Sequence, residues 1–201
     1  MIVVDIETSG LNPVKNGIWQ IGALDLENPD NQFIEESRID EEDIIDINSL
    51  KITNKTKEEL RNKDMQSQRQ LIENFFKWCE NIKNKICICQ NPQFDVSWMM
   101  IKSYKYNIKF PLEFRSFDLH SFASFRYFQI KKEFLFKKDF SPMNLKNILS
   151  FVGMLDNRGA HNALEDSKLT AEAFSRLVYG KKLFKEYENF QIPRYLMGGN
   201  L

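Results

Sequence analysis

The sequence is poor in cysteine and histidine, two residue types that often carry metal-binding or nucleophilic chemistry. It has three cysteines and two histidines in 201 residues. Three cysteines do not make a disulfide framework, and Cys87-Ile88-Cys89 lacks the CxxC spacing of a zinc site. We therefore expect reduced, packed thiols. Any histidine chemistry must use His120 or His161.

Long apolar runs and a surplus of charge are also absent. No run approaches the ~18 apolar residues of a membrane span, and no basic segment followed by an apolar core begins the chain, so we expect a cytoplasmic protein with no membrane partner. The 28 basic and 28 acidic residues cancel. This balance argues against broad electrostatic capture of nucleic acid, but it allows an enzyme that holds a polynucleotide end through metal ions.

Two carboxylates interrupt the short apolar run that opens the chain. Asp5 and Glu7 are two residues apart, so on a strand their side chains point to the same face. Two like charges on a buried strand are costly unless a cation lies between them, and carboxylate oxygens suit a divalent metal. A strand end that frays into solvent, with hydrated acids, is the alternative. This stretch alone does not decide between them.

The remaining chain predicts a mixed α/β sheet, since early strands are followed by alternating helices and strands. The second and third strands are predicted at 18–26 and 32–39, joined in a hairpin through residues 28–31, and 40–46 is predicted to be a solvated acidic loop. Later elements are predicted as a capped helix from Thr56, an amphipathic helix at 70–79, strands at 85–89 and 115–119, and helices at 121–128 and 141–151.

Two further helices are predicted to present an aspartate from the same position. Asn162 begins a capping box whose partner is Glu165, which places Asp166 fourth in its helix. Asn91 followed by proline predicts the same start, so Asp95 is also fourth in a helix, which runs to about residue 106. The positive end of a helix dipole favours an anion there.

These carboxylates and one histidine complete a set for two-metal phosphodiester hydrolysis. Two cations ~3.5–4 Å apart stabilise the attacking and leaving oxygens, and three or four carboxylates are needed to hold them. A histidine with an ordinary pKa near ~6.5 can take the proton of the attacking water. The candidate residues are Asp5, Glu7, Asp95, His161 and Asp166.

The three motifs resemble, in order and spacing, those of the DEDDh 3′–5′ exonucleases. The motifs are Asp5-Ile-Glu7-Thr, Asn91-Pro-Gln-Phe-Asp95 and His161 followed after four residues by Asp166. That family includes proofreading subunits such as DNA polymerase III epsilon and RNA-trimming enzymes, and the resemblance covers residues 1–178. It implies a ribonuclease-H-like mixed five-stranded sheet flanked by helices.

The resemblance also implies an activity and its cofactors. Four carboxylates, those of Asp5, Glu7, Asp95 and Asp166, would bind two Mg²⁺ or Mn²⁺ ions, and His161 would be the general base. Nucleoside 5′-monophosphates would be released one at a time from a single-stranded or frayed DNA or RNA 3′ end. A catalytically silent nucleic-acid- or protein-binding module of the same fold is the alternative. A small-molecule phosphoesterase is a third hypothesis.

The residues after the first acidic pair shape the 3′-end pocket in such enzymes. By resemblance, Thr8 and Ser9 would contact the terminal sugar and phosphate, Leu11 would press on the base, and Phe94 would lie near the sugar or base. Core packing is the alternative for Leu11 and Phe94. Asn91 is a substrate contact or only a helix cap, and the cap is the favoured interpretation.

Five other polar positions are interpreted more simply. Gln90 and Asn162 replace a histidine and an arginine that are common in the family, which bears on substrate preference. Asp118 is interpreted as structural, His120 as a surface or packing residue, and Glu165 as a capping partner.

Two segments near the end of the chain keep open interpretations. Residues 131–138 (Lys-Lys-Glu-Phe-Leu-Phe-Lys-Lys) have the composition of a strand-binding segment, but a surface loop with its aromatic rings tucked inward is favoured. The exonuclease domain is predicted over 1–180. Residues 181–201 form a tail that either docks on a polymerase or other protein or packs back on the domain.

Overall fold

The structure, a computed structural model, describes residues 1–156, 159 and 162–197. Within these residues one sheet has five strands in the spatial order β3-β2-β1-β4-β5. The first three strands are antiparallel, whereas β4 runs parallel to β1 and β5 runs parallel to β4. This is the predicted mixed sheet. The strands are β1 (Ile2–Thr8), β2 (Ile18–Asp25), β3 (Asn28–Glu36), β4 (Cys87–Cys89) and β5 (Ser116–Asp118).

Helices cover both faces of the sheet. They are α1 (Ile47–Thr53), α2 (Lys57–Leu60), α3 (Gln68–Glu80), α4 (Pro92–Tyr106), α5 (Leu119–Lys131), α6 (Leu145–Phe151), α7 (Ala163–Tyr179) and α8 (Arg194–Met197), with a 3-10 turn at Lys185–Tyr187. One apolar cluster joins α3 and α4 to one face, and a second joins α5, α6 and α7 to the other. Among the described helices, none combines the length and the apolar character that crossing a membrane requires.

The side chains of β1 alternate between these two clusters. Ile2, Val4 and Ile6 pack in the cluster that contains α3 and α4, whereas Val3 packs in the cluster that contains α7. Because strand side chains alternate with a period of two, Asp5 and Glu7 share the face of Val3. The alternation therefore turns both carboxylates toward α7.

The hairpin and several helix ends differ from the predicted positions. The prediction of a turn at 28–31 was wrong, because Asp25 pairs directly with Asn28 and β3 already begins there. Proline in this strand is tolerated because β3 lies at the sheet edge, where the missing N–H is not needed. Helix α6 begins at Leu145, four residues later than predicted, because the Asn144 side chain accepts the Asn147 N–H at 3.0 Å as a cap. Helix α1 was not predicted.

The acidic segment 40–46 is not simply solvated, as the sequence suggested. Asp43 is buried and pairs with the buried Lys102 of α4 at 3.2 Å. The other oxygen of Asp43 accepts a hydrogen bond from Gln68 at 2.8 Å. Burial lowers the pKa of Lys102, and the Asp43 charge opposes that shift. This pair ties the loop to α4 across 59 residues of sequence.

The first turn of α7 lies directly on β2 at Gly22. A Cβ atom at this glycine would overlap the backbone of Ala163 and Leu164. Ser167 donates to the Gly22 carbonyl at 2.8 Å, and the Ala163 N–H donates to Gln20 at 2.7 Å. Helix and strand are thus held at a distance that only glycine allows at this position.

Residues 181–197 pack back on the domain through a buried ion pair within α7. Arg176 and Glu172 are both fully buried and lie 2.7 Å apart. The second oxygen of Glu172 accepts the N–H groups of Leu183 at 2.8 Å and Phe184 at 2.9 Å. Arg176 in turn donates to the Tyr187 carbonyl at 3.1 Å. The packing alternative is therefore the observed one up to residue 197, while the domain boundary at 180 stays a prediction.

The three cysteines are free and buried. Cys87 and Cys89 lie in β4, and Cys79 lies in α3. Burial raises the pKa of Cys87 to about 12 and also raises the pKa of the other two thiols. The expectation of packed, reduced thiols is confirmed.

We expect Gly22→Ala to destabilise the protein by about 1–3 kcal/mol, because the added methyl overlaps backbone that cannot rotate away. The urea unfolding midpoint measures this cost. Gly159→Ala is the matched control, since a Cβ there would have no atom of the described residues within 4 Å. Equal midpoints for the two variants would contradict the close contact of α7 with β2.

We expect Glu172→Ala to lower the free energy of unfolding by about 3–5 kcal/mol, because it leaves the buried Arg176 charge unpaired. Glu73→Ala is the control, as Glu73 also pairs with an arginine four residues away, Arg69, but near the surface. Its loss should not exceed about 1 kcal/mol. Chemical denaturation measures the free energy of unfolding of both variants. If Glu172→Ala is no less stable than Glu73→Ala, Glu172 does not anchor the segment after α7.

Candidate active site

Three carboxylates from β1 and α7 converge at one place. Asp5 pairs with Gly22 across β1 and β2, and α7 lies over that glycine. Asp166, the fourth residue of α7, therefore reaches the face that carries Asp5 and Glu7. One oxygen from each of these three carboxylates lies within 4.8 Å of the others.

The convergence fits a divalent cation. Glu7 and Asp166 are buried and Asp5 is half-buried, so three negative charges are crowded where water shields them poorly. Hard cations such as Mg²⁺ prefer carboxylate oxygens, and a bound ion would offset the repulsion. Of the two interpretations of Asp5 and Glu7 in the sequence, the geometry favours the metal site over a frayed strand end.

The predicted Asn162 cap of the helix that carries Asp166 is found, but the reciprocal bond that would make Glu165 its capping-box partner is not among the contacts of the described residues. The Asn162 side chain accepts the N–H groups of Leu164 and Glu165, each at 3.1 Å. This fixes the first turn of α7, from which Asp166 projects. The Asn162 cap therefore helps to position Asp166, a candidate metal ligand.

Asp95 forms a neighbouring wall of the same cleft. It is the fourth residue of α4, as predicted, and its carboxylate accepts the Ile6 N–H at 3.2 Å. Burial raises the pKa of Asp95 to about 7. Its oxygens lie outside the group of three within 4.8 Å, although Asp95 and that group line one cleft. A cation in the cleft would lower this pKa again, since it stabilises the charged form.

The cleft has a volume of about 410 Å³ and includes residues that sequence reasoning missed. Asn144 and Lys146 enter it from the start of α6, and Asp156 enters it from the segment after that helix. The Asn144 cap was a visible signal for the helix start, but no motif marks Lys146 or Asp156. Besides these, the lining residues are Asp5, Ile6, Glu7, Gln90, Asn91, Phe94, Asp95, Leu145 and Asp166.

The hydroxyls of Thr8 and Ser9 hold the loop that follows β1. Thr8 donates to the Gly10 carbonyl at 2.7 Å. Ser9 is fully buried, donates to the Ile44 carbonyl at 2.8 Å and accepts the Gly17 N–H at 2.9 Å. Both side chains thus shape the loop, and their contact with a terminal sugar and phosphate stays a prediction.

The other predicted substrate contacts differ in their surroundings. Leu11 is 82% exposed, which excludes core packing. Phe94 lines the cleft while its ring packs on Trp98, with centroids 5.4 Å apart. Asn91 also lines the cleft, but its side chain makes no capping hydrogen bond, so the favoured cap interpretation was wrong.

His161, the predicted general base, lies outside the described residues. The other histidine has a structural contact, as Nε2 of His120 lies 2.8 Å from the Ser141 hydroxyl. Asp118 caps α5 by accepting the N–H groups of His120 at 3.0 Å and Ser121 at 3.2 Å. The structural interpretation of Asp118 is therefore confirmed.

The basic and aromatic segment between α5 and α6 is exposed along its whole length. We define the aromatic–basic loop as residues 131–140, which begin at the last residue of α5 and are all exposed. The favoured interpretation of residues 131–138, that their rings tuck inward, was wrong, since Phe136 is 67% exposed and Phe134 50%. The lysines at both ends of this short segment favour solvent over the core.

The family model described as exonuclease matches residues 2–174. Ribonuclease T of Wigglesworthia glossinidia brevipalpis is 26% identical over 96% of this chain and 89% of its own length. A PolC-type DNA polymerase III of Thermotoga petrophila is 28% identical over 88% of this chain, which spans only 12% of that polymerase.

A solved structure with the same fold is the nuclease domain of 3′hExo, described as a DEDDh family member bound to rAMP. The superposition has a TM-score of 0.67 at 15% sequence identity. It covers 96% of this chain and 94% of the 3′hExo chain. The match of the family model extends from β1 to within α7, and thus over the elements that carry all three converging carboxylates. The chain therefore belongs to the exonuclease family, and its mixed five-stranded sheet flanked by helices is the fold of the 3′hExo nuclease domain.

Proposed function

We propose that the chain removes nucleotides one at a time from the 3′ end of single-stranded or frayed nucleic acid and releases nucleoside 5′-monophosphates. The observation that carries this proposal is the convergence of Asp5, Glu7 and Asp166 in an open cleft. Three clustered carboxylates in a cleft of about 410 Å³ leave room for cations and for a terminal nucleotide.

The ligand set that we propose adds Asp95 to these three carboxylates and holds two Mg²⁺ or Mn²⁺ ions. Bound cations supply positive charge that stabilises the attacking and leaving oxygens of an in-line displacement. The Asp95 carboxylate accepts the Ile6 N–H, and this hydrogen bond fixes the start of α4 against β1. Four carboxylates would balance two divalent charges.

His161 would take the proton from the attacking water. The water oxygen forms a bond to the terminal phosphorus, the bond from phosphorus to the 3′ oxygen of the preceding nucleotide breaks, and that oxygen gains a proton. A neutral imidazole suits this task because its ordinary pKa is close to physiological pH. The position of His161 five residues before Asp166 places the base near the ligands in sequence.

The terminal nucleotide would lie between the loop after β1 and the start of α4. Leu11, which is exposed on that loop, would press on the terminal base, and Phe94, which lines the cleft, would contact its sugar or base. Asn91 offers an amide to the same space. Lys146, from the first turn of α6, is a cation in reach of a phosphate in the cleft.

We further propose a substrate, a partner class for the tail and a cellular location. The substrate is a DNA or RNA 3′ end, and a polymerase or another protein is the partner class for the tail. Most apolar tail residues are already packed on the domain, so exposed ones such as Tyr195 and Met197 would have to provide that contact. A cytoplasmic location is proposed from the three free thiols.

The direct test is a time course on 5′-labelled DNA and RNA 20-mers with Mg²⁺, Mn²⁺ or chelator. We expect a ladder that shortens from the 3′ end, is lost with chelator, and slows at least ~100-fold in Asp166→Asn, because a catalytic metal supplies several kcal/mol. Asp118→Asn is the matched control, since asparagine keeps the cap of α5 while removing a carboxylate near the cleft. A metal-independent ladder, or no shortening of either polymer, would contradict the proposal.

His161→Ala separates proton transfer from metal binding. We expect turnover to fall by roughly 10²–10⁴-fold while the Mn²⁺ affinity, measured by calorimetry, stays at the wild-type value. Added imidazole should restore part of the turnover if the side chain acts as a base. Unchanged turnover would remove His161 from the mechanism.

A further inference from the structure

The aromatic–basic loop exposes an unusual amount of aromatic surface for a segment beside the active-site cleft. Its apolar residues are all exposed, and they are Phe134, Leu135, Phe136 and Phe140. Phe125 and Phe128 of α5 add two further exposed rings next to it. Burying apolar surface is favourable, so a contiguous exposed patch of this kind marks a binding surface more often than a neutral one.

The loop is held in place at both ends. Phe134 stacks on Phe128 in the last turns of α5, with ring centroids 4.8 Å apart and an angle of 21° between planes. Near its far end, the Lys137 N–H donates to the Phe140 carbonyl at 2.9 Å and closes a turn. The rings of Phe136 and Phe140 are therefore presented on a folded segment.

The loop leads directly to the cleft. Ser141, the residue after Phe140, bonds to His120 in the first turn of α5. Three residues later, Asn144 lines the cleft itself. From Phe128 back to His120 the chain covers eight helical residues, or ~12 Å along α5. The exposed rings therefore extend from the rim of the cleft along the length of α5.

The charge of the loop differs from that of the whole chain. Four lysines, Lys131, Lys132, Lys137 and Lys138, outnumber Glu133 and Asp139, whereas the chain as a whole has no net charge. Positive charge next to exposed rings suits a polyanion whose bases can stack. A purely apolar partner surface would have to desolvate these lysines.

We propose that the aromatic–basic loop binds the single strand upstream of the terminal nucleotide, with bases stacked on Phe136 and Phe140 and phosphates paired with Lys137 and Lys138. This inference rests on the proposed function, because it takes the occupant to be the strand whose 3′ end enters the cleft. Its consequence is that affinity grows with strand length.

The test measures binding apart from cleavage. Fluorescence anisotropy with 5′-labelled 3-mers and 12-mers, as DNA and as RNA, is recorded in chelator for the full chain. Phe136→Ala/Phe140→Ala should weaken 12-mer binding by at least ~30-fold, as expected for two lost base stacks, and the 3-mer by less. Tyr104→Ala/Phe114→Ala is the matched control, since these rings are 68% and 76% exposed on other elements. It should bind the 12-mer like the wild type.

The lysines are tested through the salt dependence. Lys137→Gln/Lys138→Gln should reduce the slope of log affinity against log salt for the 12-mer by about 1.4, because each phosphate contact on a single strand contributes ~0.7. Lys63→Gln/Lys77→Gln, at exposed positions near and within α3, should leave the slope unchanged. Equal slopes for both double variants would overturn the role of the lysines.

The outcomes separate this inference from the proposed function. If the wild type produces a 3′ ladder but the loop variants bind the 12-mer as it does, the loop inference fails and the exonuclease proposal stands. If the loop variants lose 12-mer binding while the wild type makes no ladder, the loop inference stands and the exonuclease proposal fails. A wild type that binds no oligomer overturns the loop inference. The loop inference is also overturned if sedimentation shows that the wild type self-associates and that the Phe136→Ala/Phe140→Ala variant does not.

Discussion

Mutual repulsion among Asp5, Glu7 and Asp166 is the force that the active-site architecture has to resist. Their oxygens lie within 4.8 Å of one another, and two of the three residues are buried. The backbone resists the repulsion because β1 is paired on both sides and α7 is locked to β2 at Gly22. Neither element can move away to relieve it, and a cation bound between the carboxylates would offset it.

The second wall of the cleft depends on a different interaction. Helix α4 carries Asp95 at its start and Lys102 two turns later. Lys102 meets Asp43 in the interior, so the loop after β3 and the helix behind the cleft form one unit. Helices from both faces of the sheet thus meet at the end of β1, and each is fixed by a polar contact made away from the cleft.

The positions of the candidate metal ligands could be predicted because local rules place them. The period of a strand puts Asp5 and Glu7 on one face, and the residues that start α4 and α7 set the positions of Asp95 and Asp166. No local rule predicts the pairing of Asp43 with Lys102, because these residues are 59 positions apart in the sequence. The exposure of Phe136 was equally hidden, because composition does not say which way a loop's rings face.

The state of the native thiols has a practical consequence for chemistry on this protein. All three are buried, and a raised pKa keeps them in the unreactive thiol form. A cysteine introduced at an exposed position, as in Phe136→Cys, would be the thiol that a maleimide or a disulfide-forming oligonucleotide reaches first. The chain therefore accepts site-directed labels and cross-links without prior removal of its own cysteines.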